Sequence, residues 1–174
     1  MIRLATPEDA RRIAEIQVEA WRVAYSGIMP GEYLQALQVE PREAVWRGAC
    51  GQEGAPVWVG AVKTGAESEE KLAGFCHLRP SRDEDGEGAA EVTSIYLLSD
   101  HWRRGLGREL LAAAMAFAAE RDFVRVTLWV LVENLPAREF YEALGFRPDG
   151  RLKQEQKPGF CLNEMRYGWE VGAF

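Results

Sequence analysis

Residues 91–108 read EVTSIYLLSDHWRRGLGR, and this stretch decides the fold that the sequence predicts. Its mostly apolar first half, 91–98, predicts a strand, and a helix over 105–121 follows with its apolar residues on one stripe. The next apolar run, VRVTLWVLV at 124–132, is nearly continuous, as expected of a strand buried on both faces. Two strands joined by a helix are expected to lie parallel, with a right-handed crossover.

The remaining patterns extend this unit into a mixed sheet. The further elements expected are strands at 2–4, 57–62, 72–78, 146–152 and 162–169, and helices from Pro7 to about Tyr25 and at 31–37, 41–50 and 134–144. A turn over 64–70 joins two of the strands into a hairpin, and the acidic stretch 81–88 is expected to be a solvated surface loop. The predicted fold class is α/β (an α+β mixed sheet) with helices on both faces, in a single domain over 1–174.

The composition is that of a globular protein with an acidic surface. Hydrophobic residues make up 47% of the chain and charged residues 28%, with a net charge of -6. An acidic chain binds nucleic acid and anionic membranes poorly, and it suits a cationic amine or a basic peptide. Cys50, Cys76 and Cys161 form no CxxC pair, so neither a disulfide framework nor a metal site is expected. Residues 1–9 lack the apolar run of a signal peptide, which makes the reducing cytoplasm the expected compartment.

A glycine-containing turn, WRRGLGR at 102–108, lies between the first strand and the helix of the deciding stretch. Glycines at alternate positions let the backbone approach a ligand closely, and a helix start offers unpaired N–H groups. Three arginines add positive charge to an otherwise acidic chain. The turn therefore favours an anion site, for which a pyrophosphate is the natural ligand. The alternative is a tight turn whose arginines are merely solvated.

Two other phosphate-binding motifs do not fit. Residues 105–110, GLGREL, lack the third glycine of the dinucleotide fingerprint, and the acidic residue expected about 20 positions later is missing. Residues 145–150, GFRPDG, lack the Lys-Ser/Thr pair of a P-loop and follow a helix rather than a strand.

A second motif, NLPAREFYEALGF at 134–146, identifies a resemblance. Its pattern, N-x-x-A-x-x-x-Y-x-x-x-G-F after an apolar strand, resembles the C-terminal motif of the GCN5-related N-acetyltransferases, the GNAT superfamily. Residues 95–108 are similar to the acyl-CoA motif of that family, and IRLATPEDA at 2–10 resembles its common openings. A further similarity is Trp21-x-x-x-Tyr25-x-Gly27-Ile28-x-Pro30. Together the motifs occur in the order and spacing of the family.

The resemblance implies a position for acetyl-CoA, in a gap between the two parallel strands. The backbone of 95–97 would pair with the pantetheine arm, the amides of 103–108 would hold the pyrophosphate, and Asn134 would bond to the arm from the other side. The cofactor-binding residues that it implies are Ile95, Tyr96, Leu97, Arg103, Arg104, Gly105, Leu106, Gly107, Arg108, Asn134, Ala137 and Tyr141. Trp102 stands where the family often has Gln or Arg, so we expect backbone N–H groups to form most of the cradle.

The resemblance also implies catalytic residues. Tyr141 would place its hydroxyl near the thioester sulfur and protonate the departing thiolate. Glu91 resembles the strand glutamate of the histone-acetylating members and would act as base through a water. His77, Tyr25 and an ordered water chain remain alternatives for the base, and Glu91 has a structural alternative as a solvent-facing or salt-bridged strand residue. A backbone N–H of the parting strand would stabilise the oxyanion.

Trp21, Tyr25, Met29 and Tyr33 lie in the region that forms one wall of the acceptor site in this family. Aromatic rings there can pack on the apolar part of an acceptor or face an ammonium group. The alternative is that these residues only fasten the first helix to the sheet.

The predicted function is therefore transfer of an acetyl group from acetyl-CoA to a primary amine of a small molecule or protein by direct attack. One alternative is a non-catalytic acyl-CoA-binding sensor or interaction module, and another is a transferase for a longer acyl chain. The presence of Tyr141, Asn134 and the Gly105-x-Gly107 pair favours catalysis. The resemblance makes a homodimer reasonable, with the strand at 162–169 as a candidate for pairing with a second subunit.

Overall fold

Within the described residues, 1–64 and 69–172, the computed structural model contains one sheet of seven strands and five helices. The strands are β1 (Ile2–Leu4), β2 (Val57–Thr64), β3 (Glu69–Pro80), β4 (Ala89–Leu97), β5 (Arg125–Leu131), β6 (Arg147–Lys157) and β7 (Phe160–Glu170). The helices are α1 (Ala10–Ala24), α2 (Gly31–Gln35), α3 (Glu40–Ala49), α4 (Leu106–Glu120) and α5 (Leu135–Ala143).

The strand order is β1-β2-β3-β4-β5-β7-β6, and every neighbouring pair is antiparallel except β4 and β5. The parallel pair is the one joined by α4, which confirms the strand–helix–strand prediction. Val126, Thr127 and Leu128 of β5 are all at most 2% exposed, so this strand is buried on both faces as its apolar run indicates.

Different helices cover the two faces of the sheet. On one face, Leu110 of α4 packs in the same core as Leu128 of β5. On the other face, Ile13 of α1 and Trp46 of α3 pack with Phe75 of β3. Full burial of one such side chain stabilises the fold by roughly 1.5–3 kcal/mol. The two cores hold the sheet rigidly on either side of the point where β4 and β5 meet.

The structure differs from the sequence prediction mainly in its last third. β6 is longer than the strand predicted at 146–152, and all of its residues are exposed except Lys157, which is partly buried. The strand at 162–169 is not available as a candidate for pairing with a second subunit, because it lies within β7 and pairs with β5 and β6 on its two sides. The turn predicted over 64–70 lies largely outside the described residues, although Thr64 and Glu69 pair across it. None of the described helices is long and apolar enough to cross a membrane.

Candidate active site

The two parallel strands part at one point of the sheet. Pairing between β4 and β5 ends at Val92 and Leu128, although β4 continues to Leu97. Thr93 is an extra residue in β4, since His77 of β3 lies opposite Ser94 while Leu78 lies opposite Val92. Such a bulge bends its strand away from the regular course. A cavity of about 1430 Å³ lies along the gap and is lined by both strands, the start of α4 and α5.

Along β4, backbone groups point alternately toward β3 and toward the gap. The N–H of Leu98 donates to the carbonyl of Ala73 at 2.8 Å, and Tyr96 lies opposite Phe75 two residues earlier. Since hydrogen-bonded and non-hydrogen-bonded pairs alternate between antiparallel strands, the backbone groups of Ile95 and Leu97 point away from β3, into the gap. The backbone of Tyr96 pairs with β3 instead. The expected backbone contacts of 95–97 are therefore restricted to Ile95 and Leu97.

The turn before α4 forms a cradle of backbone N–H groups. Gly105 caps the helix with φ +91°, and Arg103 before it also has a positive φ of 57°. A Cβ at Gly105 would meet nothing within 4 Å, so glycine is needed for the backbone conformation, and the space beside it is open. The first three N–H groups of α4, at 106–108, have no intrahelical partner. They leave donors free at the positive end of the helix dipole, which suits an anion.

The arginines of the turn are exposed, and Arg103 and Arg108 line the cavity. Arg104 is exposed but is not part of the lining, and Leu106 is buried at 6% in the core beneath. Trp102 donates its indole N–H to the carbonyl of Leu97 at 3.0 Å. This bond fixes the path of the chain from β4 into the cradle. It gives Trp102 a structural role at the position where the family often has Gln or Arg.

Helix α5 supplies the opposite side of the gap. Asn134 caps the helix by accepting the N–H of Ala137 at 3.4 Å, and both residues line the cavity. Tyr141 is only 8% exposed, and its ring packs against Phe140 and Phe146 with centroid distances of 5.3 and 6.1 Å. Within the described residues its hydroxyl has no hydrogen-bond partner. Burial raises the pKa of Tyr141 well above its usual value, so the group remains a proton donor at physiological pH.

Glu91 lies at the wall where the strands part, and 3% of the residue is exposed. Both of its carboxylate oxygens accept from the guanidinium of Arg82, at 2.8 and 3.1 Å. His77 is not part of the cavity lining: its Nδ1 lies 2.7 Å from the hydroxyl of Thr93 and its ring lies against Trp46. Burial, reinforced by nearby arginines, lowers the pKa of His77 to about 4.

Of the four residues predicted to form one wall of the acceptor site, only Tyr25 is among the residues that line the cavity. Tyr25 lines it and shares a hydrogen bond of 3.1 Å with the hydroxyl of Tyr96. Trp21 packs edge-on against Tyr25 at 5.2 Å between ring centroids, and Met29 is buried at 6%. Neither Trp21 nor Met29 is among the residues that line the cavity. Tyr33 stacks on Phe160, away from the gap.

Several residues of the cavity were not predicted from the sequence. The main ones are Arg82, Trp129, Lys153, Glu155 and Glu164. They come from the 81–88 loop, from β5 and from the β6–β7 hairpin, and no local motif marks them.

The acidic 81–88 loop is mostly exposed, as the sequence predicts, but it is also fixed by ion pairs that the sequence does not predict. Arg166 of β7, only 4% exposed, binds Asp83 at 2.9 Å and Asp85 at 2.7 Å, and Asp149 of β6 at 2.7 Å. Asp83 further accepts the indole N–H of Trp129 at 3.2 Å. The loop is therefore fixed against the end of the cavity. In the sequence, this contact is indicated only by the opposite charges of Arg166 and of Asp83 and Asp85, which are 81–83 residues apart.

Comparison with known proteins now decides the family. The model of the acetyltransferase (GNAT) family matches residues 11–146, which is most of the chain. The chain belongs to the GNAT family. This confirms the resemblance that the motifs at 95–108 and 134–146 indicate. It also makes the chain an enzyme of the acetyl-CoA-dependent N-acetyltransferase class.

Individual relatives agree with this family. An uncharacterized N-acetyltransferase of Bacillus subtilis is 30% identical over 97% of this chain and 91% of its own length. A probable N-acetyltransferase of Mycobacterium tuberculosis is 28% identical over 86% of this chain and 81% of its own length.

Solved structures share the GNAT fold. The PaiA N-acetyltransferase of Thermoplasma acidophilum, solved with coenzyme A, superposes with a TM-score of 0.73 at 20% identity, covering 98% of each chain. The yncA acetyltransferase of Salmonella typhimurium, solved with acetyl-CoA, gives a TM-score of 0.71 at 21% identity, covering 100% of this chain and 95% of the other. The mixed sheet with one parallel pair is therefore the GNAT architecture.

Proposed function

We propose that this protein transfers the acetyl group of acetyl-CoA to a primary amine of a small molecule or protein, by direct attack of the amine on the thioester. The observation that carries this proposal is the parting of β4 and β5 beyond Val92 and Leu128. The hydroxyl of Tyr141, which has no hydrogen-bond partner among the described residues, lies in the wall of this gap. When bound, acetyl-CoA supplies the activated acetyl group and a thiol as leaving group.

The residues around the gap fit such a ligand. Ile95 and the N–H of Leu97 offer backbone groups along the length of the gap, where a pantetheine arm carries two amides, while the carbonyl of Leu97 already accepts from Trp102. The free N–H groups at 106–108 and the guanidinium groups of Arg103 and Arg108 suit a pyrophosphate. On the opposite side, Asn134 uses its side-chain oxygen as a cap, so its NH₂ remains available to donate. The small side chain of Ala137 leaves space beside it.

Proton transfer is assigned to two groups. Tyr141 is protonated because of its burial, and it can protonate the sulfur as the thioester bond breaks. We assign the base role to Glu91, acting through a water, because its carboxylate lies where the strands part. Both of its oxygens accept from Arg82, so deprotonation of the amine by bulk solvent also contributes. The rate at subsaturating amine should therefore rise with pH until the amine is neutral.

An acceptor screen tests this function. The protein is mixed with acetyl-CoA and pools of primary amines. Thiol release is followed with a colorimetric thiol reagent, and products are identified by mass spectrometry. We expect amine-dependent thiol release and an N-acetylated product, both greatly reduced in Tyr141→Phe. Acetyl-CoA binding without amine-dependent thiol release from any pool would favour the non-catalytic binding module instead.

A further inference from the structure

The end of the cavity beyond Glu91 contains two cations whose hydrogen-bonding capacity is only partly used. Arg82 and Lys153 both line this end, and their side chains are 57% and 43% exposed. They lie in a chain of net charge -6, where cations inside a cavity are not explained by overall composition. The ammonium of Lys153 lies over the face of Trp129, 4.3 Å from the ring centroid.

A count of donors and acceptors shows what this end can bind. Arg82 uses Nε and Nη2 on the two oxygens of Glu91, which leaves its Nη1 edge with no acceptor among the described residues. Lys153 forms an ion pair with Glu164 at 3.2 Å. The carboxylate of Glu91 is buried and both of its oxygens are engaged. Glu155 and Glu164 also line this end, and each has one oxygen paired with a lysine, so the spare donors of Arg82 and Lys153 lie beside carboxylates. These exposed, positively charged donors suit an anion.

Arg82 is also held in place before any ligand binds. Its own side chain is fixed by the buried Glu91, and the loop that bears it is fixed by Arg166 through Asp83 and Asp85. The indole of Trp129, bonded to Asp83, ties the same loop to β5. A guanidinium that is oriented in advance loses less entropy on binding a planar anion than a free one does.

We propose that the acceptor is a small primary amine that also bears a carboxylate, of the α-amino acid type, and that Arg82 and Lys153 bind this carboxylate. The inference rests on the proposed function and specifies its substrate class. In an α-amino acid one carbon separates the carboxylate from the amine. A carboxylate on the free edge of Arg82 therefore keeps the amine close to Glu91 and to the point where β4 and β5 part.

Matched acceptor pairs test the proposal. The kcat/KM of each of a set of α-amino acids is compared with that of its amide, with both values corrected for the fraction of neutral amine, and a diamine and a lysine-rich peptide complete the panel. We expect the amino acid to exceed its amide by about tenfold or more, as for a charge-assisted, bidentate contact. Arg82→Gln and Lys153→Gln should each reduce this ratio through the acceptor KM.

Two controls separate this effect from others. Arg79→Gln removes the same charge from an exposed neighbour on β3 that does not line the cavity, and it should leave the ratio unchanged. Lys153→Gln leaves Glu91 with its partner and unpairs only Glu164, so its effect cannot arise from loss of the partner of Glu91. Acetyl-CoA affinity, measured by calorimetry, should stay within about twofold in all variants.

The outcomes distinguish this inference from the proposed function. Equal rates for acids and amides, a preference for the diamine or peptide, or acetyl-CoA binding with no amino acid acetylated would overturn the carboxylate anchor alone. Failure of the wild type to bind acetyl-CoA would overturn the proposed function, and the anchor with it.

Discussion

Replacing Tyr141 by Phe removes one hydroxyl and should separate catalysis from stability. The ring contacts with Phe140 and Phe146 do not involve the hydroxyl, and the hydroxyl has no partner among the described residues. The free energy of unfolding should therefore change by less than about 0.5 kcal/mol. General acid catalysis contributes about 10²–10⁴-fold, and the lower end applies because a thiol of pKa about 8.5 is a good leaving group. We expect kcat to fall about 10²-fold, or about 2.7 kcal/mol in activation free energy.

The assay is thiol release at saturating acetyl-CoA and amine, beside urea unfolding of the same preparation. Tyr167→Phe is the matched control, since this residue is fully buried, does not line the cavity, and bonds through its hydroxyl to Glu142 at 2.6 Å and Arg138 at 3.2 Å. It should lose about 1–3 kcal/mol of stability and keep its kcat. A Tyr141→Phe enzyme within threefold of the wild-type kcat would refute the role of Tyr141 as acid.

Three further predictions address the surroundings of the site. The folded protein keeps His77 neutral down to about pH 4, whereas the unfolded chain protonates it near pH 6.5. The His77 contribution to the free energy of unfolding should therefore be complete above pH 6.5 and fall by about 2–3 kcal/mol by pH 4.5. In urea titrations over the same pH range, His77→Gln should lose less stability than the wild type. Arg166→Met should destabilise the fold by about 1–3 kcal/mol in urea, since Asp83 loses its cation while Asp85 and Asp149 keep only Arg151 and Arg125. An unchanged midpoint would contradict a structural role for the cluster. Trp102→Phe should weaken acetyl-CoA binding by about 2–10-fold at unchanged kcat, because the bond to Leu97 that orders the cradle is lost; unaltered affinity would show that the cradle orders without it.

The parts of the fold that the sequence predicts are those specified by neighbouring residues. The apolar run of β5 and the apolar stripe of α4 each indicate which residues of that single element are buried. The parallel pairing of β4 and β5 follows from the helix that joins them. The cradle was equally local, since Gly105 needs its positive φ where a strand passes into a helix. The places of Asn134 and Tyr141 beside the cofactor were implied by the resemblance of 134–146 to the family motif, and the local pattern alone indicates only a helix with an apolar stripe.

The parts that could not be predicted depend on pairing between distant residues. β6 is almost entirely exposed, so its full length has no apolar period to reveal it. The bulge at Thr93 depends on the register with β3 rather than on a sequence signature. The clamp of Arg166 on the 81–88 loop joins charges that are far apart in sequence, and the ion pair that restrains Glu91 depends on the path of that same loop.

The central claim is that acetyl-CoA binds in the gap between β4 and β5, with its pyrophosphate on the turn before α4. Calorimetric titration of acetyl-CoA into the wild type and two glycine variants tests this claim most directly. Gly105→Asp places a carboxylate in the cradle, whereas Gly159→Asp puts the same residue at a matching positive φ of 87°, in open space within the β6–β7 turn. We expect binding by wild type and Gly159→Asp, and at least tenfold weaker binding, about 1.4 kcal/mol, by a folded Gly105→Asp. Equal affinity of all three proteins, or no binding by the folded wild type, would contradict the claim.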